Sequence, residues 1–261
     1  MTVASFQKAG VRSVRMVRKR RVIKGVPRLA GTSTKEAFWL FEDLTTDVAE
    51  GEALIMVSRD PDRTSAAMRV WAGLLPLDAG GYQRPDRSLL ASAPQPRWLR
   101  ELSVEQSIRM LAGTYGLSDD DVEQVVGPAA KTAQVDSMMH WPLDDLGRGS
   151  RSQLAFAVAV NAPVPLVMFD HTALVGSPEF RPLCVEHLKA LRDSGKAVVI
   201  ATVKPQLVLE VGTRALIARP KRSAEVSVAE AAEFLIKDKV KGRKKARRRA
   251  HEDDDDSGLD F

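Results

Sequence analysis

The chain has 261 residues, of which 44% are apolar, enough for one substantial domain with a buried core. A single cysteine, Cys184, excludes an internal disulfide framework, and the four histidines lack the spacing of metal ligands. The most apolar stretch, Leu154–Phe169, is interrupted by polar residues and prolines and is too short to cross a bilayer. With no signal-peptide pattern at the N-terminus, we expect a cytoplasmic protein.

The net charge of +5 comes from the two ends of the chain. Residues 8–24 hold eight basic and no acidic side chains, and residues 237–249 hold nine basic side chains and one acidic one. The intervening residues 25–236 hold 22 basic and 27 acidic side chains and are mildly acidic. We therefore predict a basic extension over residues 1–31, a folded domain over residues 32–218, and a charged, disordered tail over residues 219–261.

Strand-like and helix-like segments alternate along the folded part, which predicts an α/β architecture. Short apolar runs that suit buried strands are Leu54–Val57, Leu166–Phe169 and Ala197–Thr202. Apolar spacing and stop residues predict helices over Ser65–Leu75, Ser103–Gly113, Asp119–Val126 and Glu179–Ser194, and a short one over Val226–Leu235.

Several segments match one family in the same order. They are Leu40–Leu44 with Val48–Glu52, Trp71–Pro76, Ala93–Gln95, Leu154–Ala159 and Leu174–Phe180. Together they resemble the ATP-binding subunits of ABC exporters for teichoic acid, O-antigen and related polysaccharides. The resemblance implies an ABC-ATPase-like P-loop NTPase sandwich, with a helical subdomain over about residues 98–160.

The same resemblance implies ATP and Mg²⁺ as cofactors, with ATP hydrolysis as the family activity. It implies a membrane permease subunit and a second ABC ATPase as partners, in a homodimer or heterodimer. The expected location is then peripheral, on the cytoplasmic face of the membrane.

The phosphate loop of the family reads G-x-x-x-x-G-K-S/T, whereas this chain has Ser58-Arg59-Asp60-Pro61-Asp62-Arg63-Thr64-Ser65. Both glycines and the lysine are missing, although small residues let the backbone wrap phosphates and the lysine neutralises them. A proline offers no N–H, and the two aspartates repel a polyanion. We predict a degenerate ATP site, to which Arg59 and Arg63 restore part of the positive charge.

Other family positions are partly retained. Asp170 matches the aspartate that, with Ser65, helps hold Mg²⁺, and His171 replaces the glutamate that orients water. Val203 stands at the switch-histidine position. Trp39 is placed either to stack on adenine or to face the core, and Gln95 is either a Gln-loop residue or a surface glutamine.

The signature segment is intermediate. Gly147, Arg148, Gly149 and Ser150 stand where the family has S-G-G-Q or S-S-G-M. A helix N-terminus at this point could still meet the γ-phosphate held by a partner chain.

These residues favour a non-hydrolysing cassette subunit that acts as the scaffold or regulatory half of a dimer. One alternative is a divergent active ATPase in which His171 serves as the base. Another is a cassette platform whose basic ends bind anionic lipid. Nucleic acid is the less favoured ligand for those ends, because no aromatic residues are interleaved with the basic runs to stack on bases.

Overall fold

The computed structural model of the protein describes residues 1–19, 32–92, 99 and 101–239. Its strands are β1 (Thr2–Lys19), β2 (Thr32–Ala49), β3 (Ala53–Val57), β4 (Ala79–Gln83), β5 (Ser88–Ser92), β6 (Leu166–Asp170), β7 (Ala197–Ala201), β8 (Arg214–Ile217) and β9 (Ala224–Val226). Its helices are α1 (Pro61–Trp71), α2 (Val104–Thr114), α3 (Asp119–Thr132), α4 (Arg148–Asn161), α5 (Phe180–Asp193), α6 (Pro205–Val211), and α7 over residues 228–239. Among these residues, no helix is both long and apolar enough to span a membrane.

Two sheets organise the domain. The first is antiparallel with strand order β2-β1-β4, and the second has the order β5-β6-β7-β3-β8-β9. In the second sheet β5, β6, β7, β3 and β8 are parallel, and β9 closes the edge as an antiparallel strand. This mixed α/β architecture confirms the predicted fold class.

The parallel sheet separates two hydrophobic cores, because successive side chains of a strand point to opposite faces. Along β3, Ile55 and Val57 belong to the core shared with the helices α2 to α7, whereas Leu54 and Met56 belong to the core shared with α1 and the antiparallel sheet. All five residues of β3 are buried, which explains why its sequence is a continuous apolar run.

The first residues of the chain belong to the core that the parallel sheet shares with α1 and the antiparallel sheet. We predicted a basic extension over residues 1–31, but the described residues 2–19 form strand β1. Phe6 is 1% exposed and stacks on Trp71 at 4.3 Å between ring centroids, and the Trp71 indole Nε1 donates to the Ser5 carbonyl at 3.3 Å. Ala4, Phe6, Ala9 and Val11 are all buried in this core, and the pairing of β1 with β2 shifts register between Phe6 and Ala9. Residues 20–31 lie outside the described part of the chain.

The predicted tail is likewise folded over its first twenty residues. After β8 the chain turns back as β9 and continues into α7, whose Ala231 and Leu235 are buried. The short helix predicted over Val226–Leu235 is therefore present and its apolar side chains pack on the core, whereas we predicted a disordered tail over residues 219–261 as a whole. Residues 240–261 lie outside the described residues.

Two element boundaries also differ from the prediction. The resemblance to the family implies a pair of strands over Leu40–Leu44 and Val48–Glu52, but these segments lie mostly within one long strand, β2, which pairs with β1 along its whole length. Helix α1 begins at Pro61, four residues before the predicted Ser65. The reason is a strong local start, since Asp60 caps the helix and proline is favoured at the first helical position.

Helices α2, α3 and α4 occupy the stretch between β5 and β6, where a helical subdomain was expected. Ser103 and Ser118 each cap a helix in a reciprocal capping box with the residue three positions later. The division of the chain into a helical subdomain with these limits stays a prediction.

Candidate functional site

The candidate site lies at the carboxyl edge of the parallel sheet. Strands β3, β6 and β7 are neighbours, and the residues that directly follow them are Ser58, His171 and Thr202. The carboxyl ends of parallel strands meet at one edge, which is the usual ligand-binding edge of an open α/β sheet.

Between β3 and α1 the loop consists of only three residues, Ser58, Arg59 and Asp60. The Ser58 hydroxyl donates to the Ala218 carbonyl at 3.0 Å and accepts from the Asp60 N–H at 3.2 Å. The Asp60 carboxylate accepts the Asp62 N–H at 3.3 Å, and the Asp60 carbonyl accepts the Arg63 N–H at 3.2 Å. The protein's own aspartate therefore occupies the first N–H groups of α1, and Pro61 contributes none.

Arg59 of this loop and Arg63 in the first turn of α1 each form an ion pair with an aspartate of the chain. Arg63 Nη2 lies 3.1 Å from Asp60 Oδ2, and its Nε donates to the Leu40 carbonyl at 2.8 Å. Arg59 Nε lies 3.0 Å from Asp238 Oδ1 on α7. These two contacts fix the Arg63 side chain, of which only 16% is exposed. Neither guanidinium belongs to the cavity beside Asp170 that is described below.

Ser65 and Asp170 are brought together as the sequence predicts. The Ser65 hydroxyl donates to Asp170 Oδ1 at 2.8 Å, and Asp170 is 4% exposed. These are oxygen donors of the kind that Mg²⁺ prefers. The described part of the chain has no cluster of three or more His, Cys, Asp or Glu side chains placed to hold a metal ion.

His171 has a left-handed backbone, with φ of 60°, and its N–H donates to the Ala201 carbonyl at 3.1 Å. Histidine adopts this conformation more readily than most residues, but it is still uncommon. Its Nε2 lies 3.8 Å from Asp170 Oδ1, and 28% of its side chain is exposed. The imidazole is thus placed beside the retained aspartate.

A cavity of about 500 Å³ opens next to this pair, and we call it the Asp170 cavity. One wall is the α1 face with Asp62, Ser65, Ala66 and Arg69. The rest comes from Val11, Arg12 and Ser13 of β1, Phe38 and Leu40 of β2, and Leu75, Asp170 and His171. The cavity therefore combines two arginines with two aspartates beside an apolar wall.

Comparison with solved structures identifies the architecture. The structure matches an ATP-binding subunit of an ABC transporter with a TM-score of 0.66 and 14% identity, covering 90% of this chain and 99% of that one. It matches a nucleotide-free ATP-binding cassette from an ABC transporter with a TM-score of 0.64 and 13% identity, covering 91% and 96%. The fold is that of an ATP-binding cassette.

Sequence relatives point in the same direction. The chain is 24% identical over 166 residues to the teichoic acids export ATP-binding protein TagH of Levilactobacillus brevis, covering 63% of this chain and 45% of that protein. It is 20% identical over 189 residues to the O-antigen export system ATP-binding protein RfbB of Klebsiella pneumoniae, covering 72% and 77%. The resemblance to export ATP-binding proteins is confirmed, although the match spans less than half of TagH. No family model matches the chain.

Within the cassette, the phosphate-loop position does not fit nucleotide phosphates as it stands. Phosphates would have to accept the N–H groups that Asp60 already accepts, next to two carboxylates. The lysine position is Thr64, which is 1% exposed and donates its hydroxyl to the Pro61 carbonyl at 2.9 Å. The Ser65 and Asp170 pair fits a magnesium ion, but the loop beside it does not fit the phosphates that would accompany that ion.

The remaining predicted residues lie apart from this pair. The Trp39 ring packs under the Arg12 guanidinium at 4.2 Å and against Gly10, while its strand neighbours Phe38 and Leu40 line the Asp170 cavity. Gly147 caps α4, and Arg148, Gly149 and Ser150 form its first turn on the helical side of the sheet. Gln95 lies outside the described residues.

At the switch-histidine position Val203 is 53% exposed. The pKa of the adjacent Lys204 is lowered by partial burial and by the nearby charge of Arg181. Lys204 Nζ lies 3.5 Å from the Leu174 carbonyl, so this amine is directed toward the segment after β6 and not toward Asp170.

Sequence reasoning missed the role of Asp60 as the cap of α1 and missed Arg12, Phe38 and Arg69 as cavity residues. The first could have been found, because Asp-Pro is a frequent N-cap and first-turn pair. Arg12, Phe38 and Arg69 could not have been found, because they lie on β1, β2 and α1, which only the folded chain brings together.

Proposed function

We propose that this chain is a non-hydrolysing ATP-binding-cassette subunit of a polysaccharide-type exporter. It pairs as the scaffold or regulatory half of a dimer with an intact ATPase, and it docks on a permease subunit at the cytoplasmic face of the membrane.

One observation carries the proposal, namely the contact set of Asp60. Its carboxylate accepts the Asp62 N–H and pairs with Arg63, so the anion-binding end of α1 is filled from within the chain. A nucleotide would have to displace these contacts and approach Asp60 and Asp62. At about 5 Å and an effective dielectric of about 20, each carboxylate opposes a unit negative charge by roughly 3 kcal/mol before screening.

The names of the relatives support the exporter context. TagH and RfbB are both named as export ATP-binding proteins, for teichoic acids and O-antigen respectively. The dimer partner is proposed on chemical grounds. Cassette dimers complete each site with residues of both chains, and two copies of this loop would form two sites that lack the same groups.

The deciding experiment is titration of the purified chain with Mg-ATP by calorimetry, together with a phosphate-release assay. A cassette with an intact G-x-x-x-x-G-K-S loop is the positive control. We expect neither heat nor turnover from this chain, and turnover when it is purified with its partner ATPase. Turnover by this chain alone that is lost in Asp170→Ala would contradict the proposal and support a divergent ATPase.

A second candidate function rests on the outer part of β1 and β2. Beyond Gly10, where pairing with β4 ends, β1 is paired only with β2 among the described strands. Val14 is 59% and Met16 is 60% exposed, and their cross-strand partners are Ala37 and Lys35. We call Arg12–Met16 with Lys35–Trp39 the ribbon; it presents exposed apolar side chains beside cations.

An anionic lipid surface suits this ribbon, because apolar side chains can enter the interface while each nearby cation adds about 1 kcal/mol. The test is co-sedimentation with phosphatidylglycerol vesicles, using phosphatidylcholine vesicles as the control. We expect binding to the anionic vesicles alone, weakened by salt and by Val14→Ser with Met16→Ser. Equal binding by that double variant, or binding to duplex DNA in place of vesicles, would refute the lipid role.

A further inference from the structure

A second cavity lies beside the phosphate-loop position, separate from the Asp170 cavity. It has a volume of about 580 Å³ and is bounded by the β3–α1 loop, the turn between β8 and β9, and α7. Its lining residues are Arg59, Arg63, Ala218, Arg219, Pro220, Lys221 and Phe234. We call it the Lys221 cavity. Among the residues that the structure assigns to the two cavities, none is shared.

Positive charge dominates this cavity. Four of its lining side chains are cationic, and two of them have carboxylate partners, Arg59 with Asp238 and Arg63 with Asp60. Within the described part of the chain no ion pair involves Arg219 or Lys221, and both are exposed. The lining therefore keeps an excess of two positive charges, in a concave site of the size that holds small ligands.

The backbone that carries the two free cations is fixed. The Arg219 N–H donates to the Ser223 hydroxyl at 3.1 Å, and Lys221 forms a backbone bridge with Glu42 of β2. Arg222, which lies between Lys221 and Ser223, has a left-handed backbone with φ of 52°. A turn held at both sides presents its charges without a large ordering cost on binding.

The side chains suit a ligand with phosphate groups. Guanidinium forks match phosphate oxygens in geometry, and a lysine adds a point charge. Arg59 lies over the Phe234 ring at 5.6 Å to the centroid, which places a flat, half-buried aromatic at one wall. At the Asp170 cavity, by contrast, Asp62 and Asp170 oppose an anion.

We propose that the Lys221 cavity binds a small anion of the diphosphate or triphosphate class, without Mg²⁺ and without Asp170. Arg59 and Arg63, at the phosphate-loop position, then contact this anion in a cavity separate from the one beside Asp170. This inference goes beyond the proposed function, and it stands whether or not the chain pairs with an active ATPase.

Inorganic pyrophosphate is the probe, titrated into the full chain by calorimetry in EDTA at low salt. We expect one site per chain, with affinity that falls as salt rises. Arg219→Gln with Lys221→Gln should weaken binding at least about tenfold, because the variant removes two positively charged donors to phosphate oxygens. Arg12→Gln with Arg69→Gln, the matched pair in the Asp170 cavity, should change the affinity less than about twofold on the same basis.

Each result decides the question. No saturable binding up to millimolar pyrophosphate overturns the proposal, and so does equal weakening by the two double variants. Weakening by the Arg12 and Arg69 double variant alone would place the anion in the Asp170 cavity and overturn it as well. A thermal midpoint of the Arg219 and Lys221 double variant equal to that of the parent chain shows that weakened binding is not misfolding. Repeating the titration with ADP then tells whether a base on the diphosphate adds affinity through Phe234.

Discussion

The Ser65 hydroxyl donates to Asp170 Oδ1 at 2.8 Å and so joins two residues that are 105 positions apart. The bond links α1, the helix that follows β3, to the carboxyl end of β6. The two residues match the positions at which the resemblance to the family implies magnesium ligands.

Removing this donor should destabilise the fold, because Asp170 is 4% exposed and would lose a partner. We expect Ser65→Ala to lower the free energy of unfolding by about 1–3 kcal/mol. Urea unfolding measures it. Ser13→Ala, in the same cavity but without a side-chain partner among the described residues, is the control and should change stability little. Equal effects of the two variants would mean that the bond contributes nothing.

The cap of α1 gives a second prediction. Asp60→Ala should lower the free energy of unfolding by about 0.5–2 kcal/mol, and Asp60→Asn by much less, since asparagine is also a good cap. Asp62→Ala is the control, because Asp62 is exposed and acts only through the helix dipole, at about 0.3–1 kcal/mol. Denaturant unfolding of the three variants compares them. A larger loss for Asp62→Ala than for Asp60→Ala would contradict the capping role.

Restoring the family loop tests the proposal that Asp60 prevents ATP from binding at the phosphate-loop position. Ser58→Gly, Arg63→Gly and Thr64→Lys together recreate G-x-x-x-x-G-K-S ahead of the retained Ser65. We expect measurable Mg-ATP binding only when Asp60→Ala is added, because otherwise the Asp60 carboxylate still occupies the end of α1. Calorimetry measures the gain, and Asp170→Ala in the fourfold variant should abolish it. Binding by the threefold variant would show that Asp60 is not the obstacle.

The burial of β1 predicts a large effect at the start of the chain. Phe6→Ala removes a ring that is 1% exposed and stacked on Trp71, so the free energy of unfolding should fall by about 3–5 kcal/mol. Val14→Ala on the same strand is the control, and the change should stay within about 0.5 kcal/mol because Val14 is 59% exposed. Thermal or urea unfolding distinguishes the two. Similar values for both would mean that the strand does not belong to the core.

Asp121 gives a pH dependence. Hydrogen bonds from the Ser118 hydroxyl and from Arg87 hold the pKa of its carboxyl below the ordinary 3.8. Its stabilising contribution is therefore fully present above the pKa of the unfolded chain and is lost as pH falls through the lower folded value. We expect the stability difference between the parent chain and Asp121→Asn to shrink as pH falls below about 4. Stability measured by urea unfolding from pH 6 to pH 3 checks it, and a constant difference would refute it.

Apolar patterns in the sequence predicted the strands β3, β6 and β7 and the helices α1, α2, α3, α5 and α7, and the sequence shows that both glycines and the lysine of the family's phosphate loop are missing. Both depend on local information: β3, β6 and β7 are buried on two faces and read as apolar runs, and the missing glycines and lysine are visible as letters. The resemblance of the cassette to export ATP-binding proteins follows from the same order of segments.

The contacts of the charged side chains could be read only from the folded chain. Arg59 contacts Asp238, and the Lys221 cavity joins residues that lie about 160 positions apart, as the Ser58 to Ala218 hydrogen bond also does. The sequence predicts an extension over β1 because the strand carries many basic residues, which obscure the pattern of its apolar residues. Its pairing with β2 and β4, and the burial of Phe6 against Trp71, depend on long-range register that no local pattern encodes.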